Sequence, residues 1–524
     1  KKLFLRESLN QPLVLIFEDL HWIDTETQGF LDVLSEGIAS AKLLLLVNYR
    51  PEYRQEWGQK SYYTQLRLAP FGKAEAEEFL DALLGAPVET LHATSLQTLK
   101  QQILTKTEGM PFFMEEIVQE LRERDLLSDP RRVGTAQLQV LPTTVQGVLA
   151  ARIDRLAPDE KALLQHLAVI GRDFPLGLVR QVIAQPDDDL YRRLSSLQHK
   201  EFLYEQPAFP EVEYLFKHAL TQEVAYNSVL IERRKALHEQ IGQAIEHLYY
   251  DRLDERYSEL AHHYQRSSNT EKAIEYLQKA GQQAVQRSAN EEALSHLTTA
   301  LELLKTLPDT PERAQQELML QLGLGVPVLA IRGLSAPQLE SIYVRARDLC
   351  RQVGETPELS SILAGLAGFH LLRAEFQVTS ELGEQILTLA QKKQDSLLLT
   401  TARWALGTPL FWRGELVAAR EQLEQGIALY PQWQPRHQGA LGADSMMFCL
   451  FLTSYTLWHL GYPDQALKRN QEGLALAREL AHPHGLATGL NFTCRFYQLS
   501  REVRATQERA EALMTLAMEQ GFAQ

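Results

Sequence analysis

Cysteine is scarce: Cys350, Cys449 and Cys494 are the only three in 524 residues, far apart and odd in number. That excludes a disulfide framework and a C-x-x-C metal or redox site, and it fits a reducing cytoplasm. Long apolar runs are also missing. The longest, Met446 to Leu460, carries Ser, Thr and His and suits a packed helix better than a bilayer span, so no membrane segment is expected. The opening residues, KKLFLRESLNQP, read as the end of an amphipathic helix and a turn, not as a signal peptide. Basic excess is absent too: a net charge of -14 argues against a chain whose main task is gripping a phosphate backbone, so no direct nucleic-acid partner is expected. His262-His263 and His482-Pro483-His484 lack a carboxylate or cysteine to complete a metal set, and adjacent helical side chains diverge by roughly 100°.

What is present is an apolar fraction of 45%, enough for several globular domains. The most informative stretch is LVLIFEDLHWID, Leu13 to Asp24. Leu13 to Phe17 is too short for a helix and predicts a strand buried on both faces, with Glu18 and Asp19 at its carboxyl end. Ligands of open parallel sheets sit at that end, where one or two carboxylates can hold a hydrated Mg²⁺ and orient an attacking water. The plainer reading is a core strand whose acids cap the next helix, with Asp24 and Thr25 in similar roles. His21 and Trp22, beside the strand end, read as packing.

A helix from about Thr25 to Ala39 and a second buried strand, Lys42 to Tyr49, complete an α/β pattern. From Pro70 the pattern is helical: Lys73 to Leu84, Leu96 to Thr107, a break at Gly109 to Pro111, then Phe113 to Arg124. Residues 125 to 140 read as a linker, and a new unit begins at Leu141-Pro142. Helices are predicted at Thr144 to Leu156, Pro158 to Ile170, Leu176 to Ile183 and Asp188 to His199. Extended pieces at Phe202 to Glu205 and Val212 to Phe216 follow, making a winged-helix pattern without a basic stripe. After Asp251 all is helix. Small-large-small triads recur on one helix face: Ala273, Leu277, Ala280; Ala293, Leu297, Ala300; Ala419, Leu423, Gly426; Ala466, Asn470, Gly473. Gly414 and Gly461 precede two of them, where a helix-to-helix turn should lie, so this half reads as a degenerate tetratricopeptide-like solenoid.

EDLHWID at Glu18 to Asp24, NYRPEY at Asn48 to Tyr53 and EGMPFFMEEIVQEL at Glu108 to Leu121 resemble, in order and spacing, the STAND branch of the AAA+ signalling ATPases. Residues Leu141 to Phe174 and Phe216 to His238 are similar to the segments joining ATPase to solenoid in proteins fused to adenylate or guanylate cyclase domains. The resemblance implies a multidomain, predominantly α chain. Residues 1-70 would be the end of a P-loop NTPase core, 71-130 a helical lid, 138-250 a winged-helix unit with connecting helices, and 255-524 the solenoid. It implies Glu18 as the acid holding Mg²⁺ through water, Asp19 as a water-orienting acid, Arg50 as a sensor of the γ-phosphate, and Gly109 and Pro111 as the turn near the adenine. ATP or ADP with Mg²⁺ would be the cofactor. Many relatives have Asp then Glu where this chain has Glu18 then Asp19, and the shorter second acid implies slow hydrolysis.

No GxxxxGK[ST] occurs; the one Gly-Lys pair, Gly72-Lys73, lacks the preceding glycine. The chain therefore reads as a piece of a longer protein without its phosphate loop, ending within the solenoid pattern around Glu511 to Gln524, and tight ATP binding or hydrolysis by this chain alone is not expected. The resemblance implies a cytoplasmic bacterial switch that controls a fused output domain, a class III cyclase above all, with a protein or small-ligand partner on the solenoid. The alternatives are a transcription activator of the maltose-regulon type and a scaffold with a degenerate nucleotide domain.

Overall fold

The computed structural model describes residues 2–54, 57–84, 93–124, 126, 142–183, 185–208, 211–287, 289–333, 336–354, 358–429, 440–480 and 483–520. The expected linker, 125 to 140, and Leu141 lie outside these residues, Leu126 excepted. Two compact units are formed, Lys1–Tyr276 and Leu277–Gln524.

The first unit opens with α1 (Lys2–Asn10), β1 (Leu13–Phe17), α2 (Thr25–Ser35) and β2 (Leu43–Val47). The strands pair in parallel, Leu13 against Leu43 through Phe17 against Val47. One expectation fails here: neither strand is buried on both faces. Leu13, Leu15 and Phe17 pack with Phe4 of α1 and Phe30 of α2, while Val14 and Ile16 are 57% and 64% exposed and Leu44 and Leu46 53% and 46%. The in-register pairing explains it, since it sets all four outward side chains on one face, and α1 and α2 cover only the other.

Next come α3 (Lys73–Leu84), α4 (Ala93–Thr107) and α5 (Pro111–Glu123). Their apolar faces meet in one core, Ala76 and Leu80 against Leu99 and Ile103 and against Phe113, Met114, Ile117 and Leu121. Then follow α6 (Val145–Asp154), α7 (Pro158–Ile170), β3 (Asp173–Pro175), α8 (Leu176–Ile183), α9 (Asp187–His199), β4 (Leu203–Gln206) and β5 (Glu213–Phe216). The two expected extended pieces form an antiparallel pair, and β3, which the sequence did not announce, pairs with the other edge of β5. Three residues give too little periodicity to read. Helices α10 (Ala219–Asn227), α11 (Ile231–Leu248), α12 (Tyr257–Gln265) and α13 (Thr270–Gln286) follow.

The second unit holds α14 (Asn290–Leu304), α15 (Pro311–Arg332), α16 (Pro337–Val353), α17 (Leu359–Leu372), α18 (Phe376–Lys393), α19 (Ser396–Trp412), α20 (Leu416–Ala428), α21 (Ala440–His459), α22 (Pro463–Glu479), α23 (Pro483–Leu499) and α24 (Val503–Gln520). From α17 onward the helices form four hairpins with one turn geometry. Ala374, Gly414, Gly461 and Arg501 have φ of 58°, 81°, 87° and 60°. The next residue's N–H then donates back into the preceding helix at 2.9 Å: Glu375 to His370 O, Glu415 to Leu410 O, Tyr462 to Leu457 O and Glu502 to Tyr497 O. This is the left-handed helix stop that glycine favours. Gly414 and Gly461 stand where the triad spacing predicts them; Ala374 and Arg501 hold the same backbone without glycine's freedom.

The triads are buried and explain the close packing. A Cβ on Gly407 would lie 2.8 Å from Leu423 Cγ, and one on Gly281 2.6 Å from Leu297 Cγ. Ser454 and Asn470 stand in sequence relative to Gly461 as Gly407 and Leu423 do to Gly414, and both are 0% exposed. Ser454 Oγ and both polar side-chain atoms of Asn470 lack a hydrogen-bond partner among the described residues.

Candidate functional site

The carboxyl end of β1 is shaped by Asn48, just past β2. Its N–H donates to Phe17 O at 3.1 Å, its carbonyl accepts from Leu20 N–H at 3.0 Å, and its Oδ1 accepts from Asp19 N–H at 2.6 Å. These bonds fasten Asp19 in the left-handed region, φ 57° and ψ 43°. An aspartate there is uncommon and costs on the order of 1 kcal/mol, and such outliers gather where side-chain direction matters. Glu18 is exposed. Asp24 caps α2, accepting from Thr27 N–H at 2.7 Å and Thr27 Oγ1 at 2.6 Å.

Asp19 Oδ2 accepts from Arg172 Nη1 at 3.0 Å. Arg172 directly precedes β3, so the acid of the strand end meets the segment that starts the small antiparallel sheet. Arg50 is exposed, and its carbonyl accepts from Tyr53 N–H at 3.0 Å.

The second expected element is the turn into α5. Glu108 and Gly109 have φ of 51° and 77°, and Pro111 opens α5, where its missing N–H costs nothing. Phe71 N–H donates to Gly109 O at 2.8 Å, and a Cβ on Gly109 would come within 2.3 Å of Phe71 O. Only glycine fits both the backbone and the approach.

From this turn α5 carries charge inward. Arg152 of α6, 2% exposed, bonds Glu116, donates from Nε and Nη2 to Glu123 Oε1 at 3.0 and 2.7 Å and from Nη2 to Lys200 O at 2.7 Å. Its guanidinium lies 4.6 Å over the Phe202 ring. Burial opposes its charge, but Glu123 and Glu116 prevail and raise its pKa. Arg155 pairs with Glu120. Just past β5, Lys217 Nζ donates to Glu115 Oε1 at 2.7 Å and Glu201 Oε2 at 2.8 Å; burial would lower its pKa, and these two acids raise it instead. The His218 ring sits 4.1 Å from that of Phe112, and burial, then the Lys217 charge, keeps it neutral by lowering its pKa. Helix α5 is thus joined to α6 through Glu116 and Glu123 and to the end of β5 through Glu115.

Of the residues expected to act together, Glu18, Asp19 and Arg50 lie at or just past the carboxyl ends of the paired strands, and Gly109 and Pro111 form the turn into α5. Asn48, Arg152, Arg172, Lys217 and His218 were missed. All five fall inside the segments that carry the resemblance, but their roles depend on partners far off in sequence. Among the described residues no group of three or more His, Cys, Asp or Glu could hold a metal ion, and no helix is long and apolar enough to cross a membrane.

No family model matches the chain. An uncharacterized protein of Rhizobium meliloti (strain 1021) is 25% identical over 495 residues, covering 92% of this chain and 46% of the relative. The chain thus spans about half the length of the curated relative it matches. Among solved structures it is similar to a STAND protein with a tetratricopeptide repeat sensor from Pyrococcus horikoshii, at TM-score 0.35 and 12% identity over 99% of this chain and 83% of the other. It is also similar to aspartyl phosphate phosphatase F from Bacillus subtilis, at TM-score 0.37 and 11% identity over 84% and 88%. A Rap protein complexed with competence and sporulation factor gives TM-score 0.33 and 13% identity over 58% and 92%.

Proposed function

We propose that the chain is the regulatory part of a cytoplasmic signalling protein, a nucleotide-dependent switch joined to a partner-binding solenoid that controls a fused output domain. The observation that carries the reading is the connected path from the acidic strand end to α5: Asp19 to Arg172 at 3.0 Å, Arg172 O to Phe216 N–H of β5 at 2.9 Å, and the next residue, Lys217, to Glu115 of α5 at 2.7 Å. In this reading the α6 to α11 region is a winged-helix unit, and the four hairpins are tetratricopeptide-like and take a protein or small ligand. Glu18, exposed at the end of a parallel strand, fits a hydrated Mg²⁺; the same residues offer no backbone cradle for a triphosphate. Nucleotide, when held by the full-length protein, supplies a charged γ-phosphate whose presence distinguishes two states. Arg50 would sense it, Asp19 would orient water, and Gly109 and Pro111 would form the floor beside the base. A charge change near Asp19 alters its hold on Arg172, and this coupling biases the packing of α5 against β5. A class III adenylate or guanylate cyclase is the output domain we favour.

Glu18→Gln in the full-length protein tests it. The change removes the metal-holding charge at an exposed site, so output should lose its dependence on ATP while the fold is unchanged. Nucleotide dependence that survives the change would contradict the role given to Glu18, and output that ignores nucleotide and is unchanged by the substitution would favour the scaffold reading instead.

A further inference from the structure

Three histidines meet where α11 packs on α12, far in sequence from the acidic strand end. His238 and His263 are each 1% exposed, and their Nδ1 atoms lie 3.0 Å apart. His238 Nε2 contacts Tyr226 Oη of α10 at 3.1 Å, and His262 Nδ1 accepts from Arg266 Nη1 at 3.1 Å. A hydrogen bond between two Nδ1 atoms needs one donor and one acceptor, so the relay is satisfied with both rings neutral.

Among the described residues no carboxylate bonds these rings to receive an added proton's charge. From α11, Arg234 lies 4.4 Å over the Tyr226 ring, and Arg266 closes the other side; both act on His238. The nearby acids are engaged elsewhere: Glu232 with Lys235, Glu239 with Asn269, Glu259 with Arg256. Helices α7 and α8, which also pack on α11, present His166, whose ring bonds Ala162 O, and Arg180, which bonds Tyr191. One added proton therefore sets a positive charge beside two guanidinium groups in a dry contact, and a second turns two N–H groups against each other.

We propose that the Tyr226–His238–His263 relay is an acid-sensitive latch, closed when both rings are neutral and released from the α11–α12 contact when they take up protons. Burial, then neighbouring positive groups, hold His238 and His263 at about 3, against an ordinary 6.5. A folded value below the unfolded one means the latch is at full strength above pH 6.5 and weakens as pH falls from there toward 3. Arginines beside the rings also make a cation an unsuitable occupant.

Hydrogen exchange of the whole 524-residue chain at pH 7 and pH 5, corrected for intrinsic rates, tests the latch. Each histidine released on opening should raise the opening constant about 25-fold across this interval. Peptides over 226–266 should therefore lose protection while those over α17 to α20 keep theirs, and His238→Gln with His263→Gln should cut the response to what His262, itself held at about 4, supplies alone. Equal protection at both pH values, loss shared evenly with α17 to α20, or an undiminished response in the folded variant would overturn it. Should the variant not fold, ring-proton titration of the unaltered chain decides: midpoints below 5 for both His238 and His263 support the latch, and midpoints near 6.5 for these two refute it.

Discussion

Around Arg152 helices are tied together by buried charge; along the four hairpins after Leu359 they are held by small residues that let backbones approach. The difference lies in what each arrangement tolerates. A buried guanidinium shared by Glu116 and Glu123 has one geometry, and removing a partner strands the other. The hairpins distribute their stability over many Ala, Gly and Leu contacts, and one repeat can decay without loss of the rest.

Arg152→Met probes the charged side and should have the largest effect. It leaves Glu116 and Glu123 without their cation and should cost the first unit about 3–5 kcal/mol, read by urea unfolding. A cost below about 1 kcal/mol would mean the network is incidental. On the hairpin side, Ser454→Gly with Asn470→Leu restores the pairing seen at Gly407 and Leu423 and at Gly281 and Leu297. It should stabilise by about 1–2 kcal/mol, by removing buried polar atoms that lack partners. Asn470→Leu alone should gain nothing, because its branch would meet the Ser454 side chain; a gain from the single change would break the equivalence of the repeats. Arg501→Gly should add about 1 kcal/mol by relieving a left-handed backbone, visible as a small rise in unfolding midpoint.

The hairpins were legible in the sequence because their information is local. Triad spacing and Gly414 and Gly461 mark packed face and turn in two of the four, while the hairpins turning at Ala374 and Arg501 carry neither mark. Helix α7 reads off at its observed bounds for the same reason. The strand end was legible in residue type but not in geometry. LVLIFED marks a strand and its acids, yet nothing nearby announces that Asn48 turns Asp19 left-handed or that Arg172 meets it, because those partners are set by tertiary packing. Burial of β1 and β2 was misjudged since an apolar run reports composition, and which faces are covered depends on what lies above the sheet. His262 and His263 carry no local sign of a relay, because its essential partner, His238, comes from another helix.

We propose that nucleotide state at the strand end changes the packing of α5 and the α6 to α11 region. Hydrogen exchange of the full-length protein in its ATP and ADP forms measures this directly. Protection should differ across residues 142–250, most around Arg152, Arg172 and Lys217, and change little in α17 to α20. Identical exchange in the two forms across 142–250 would contradict it.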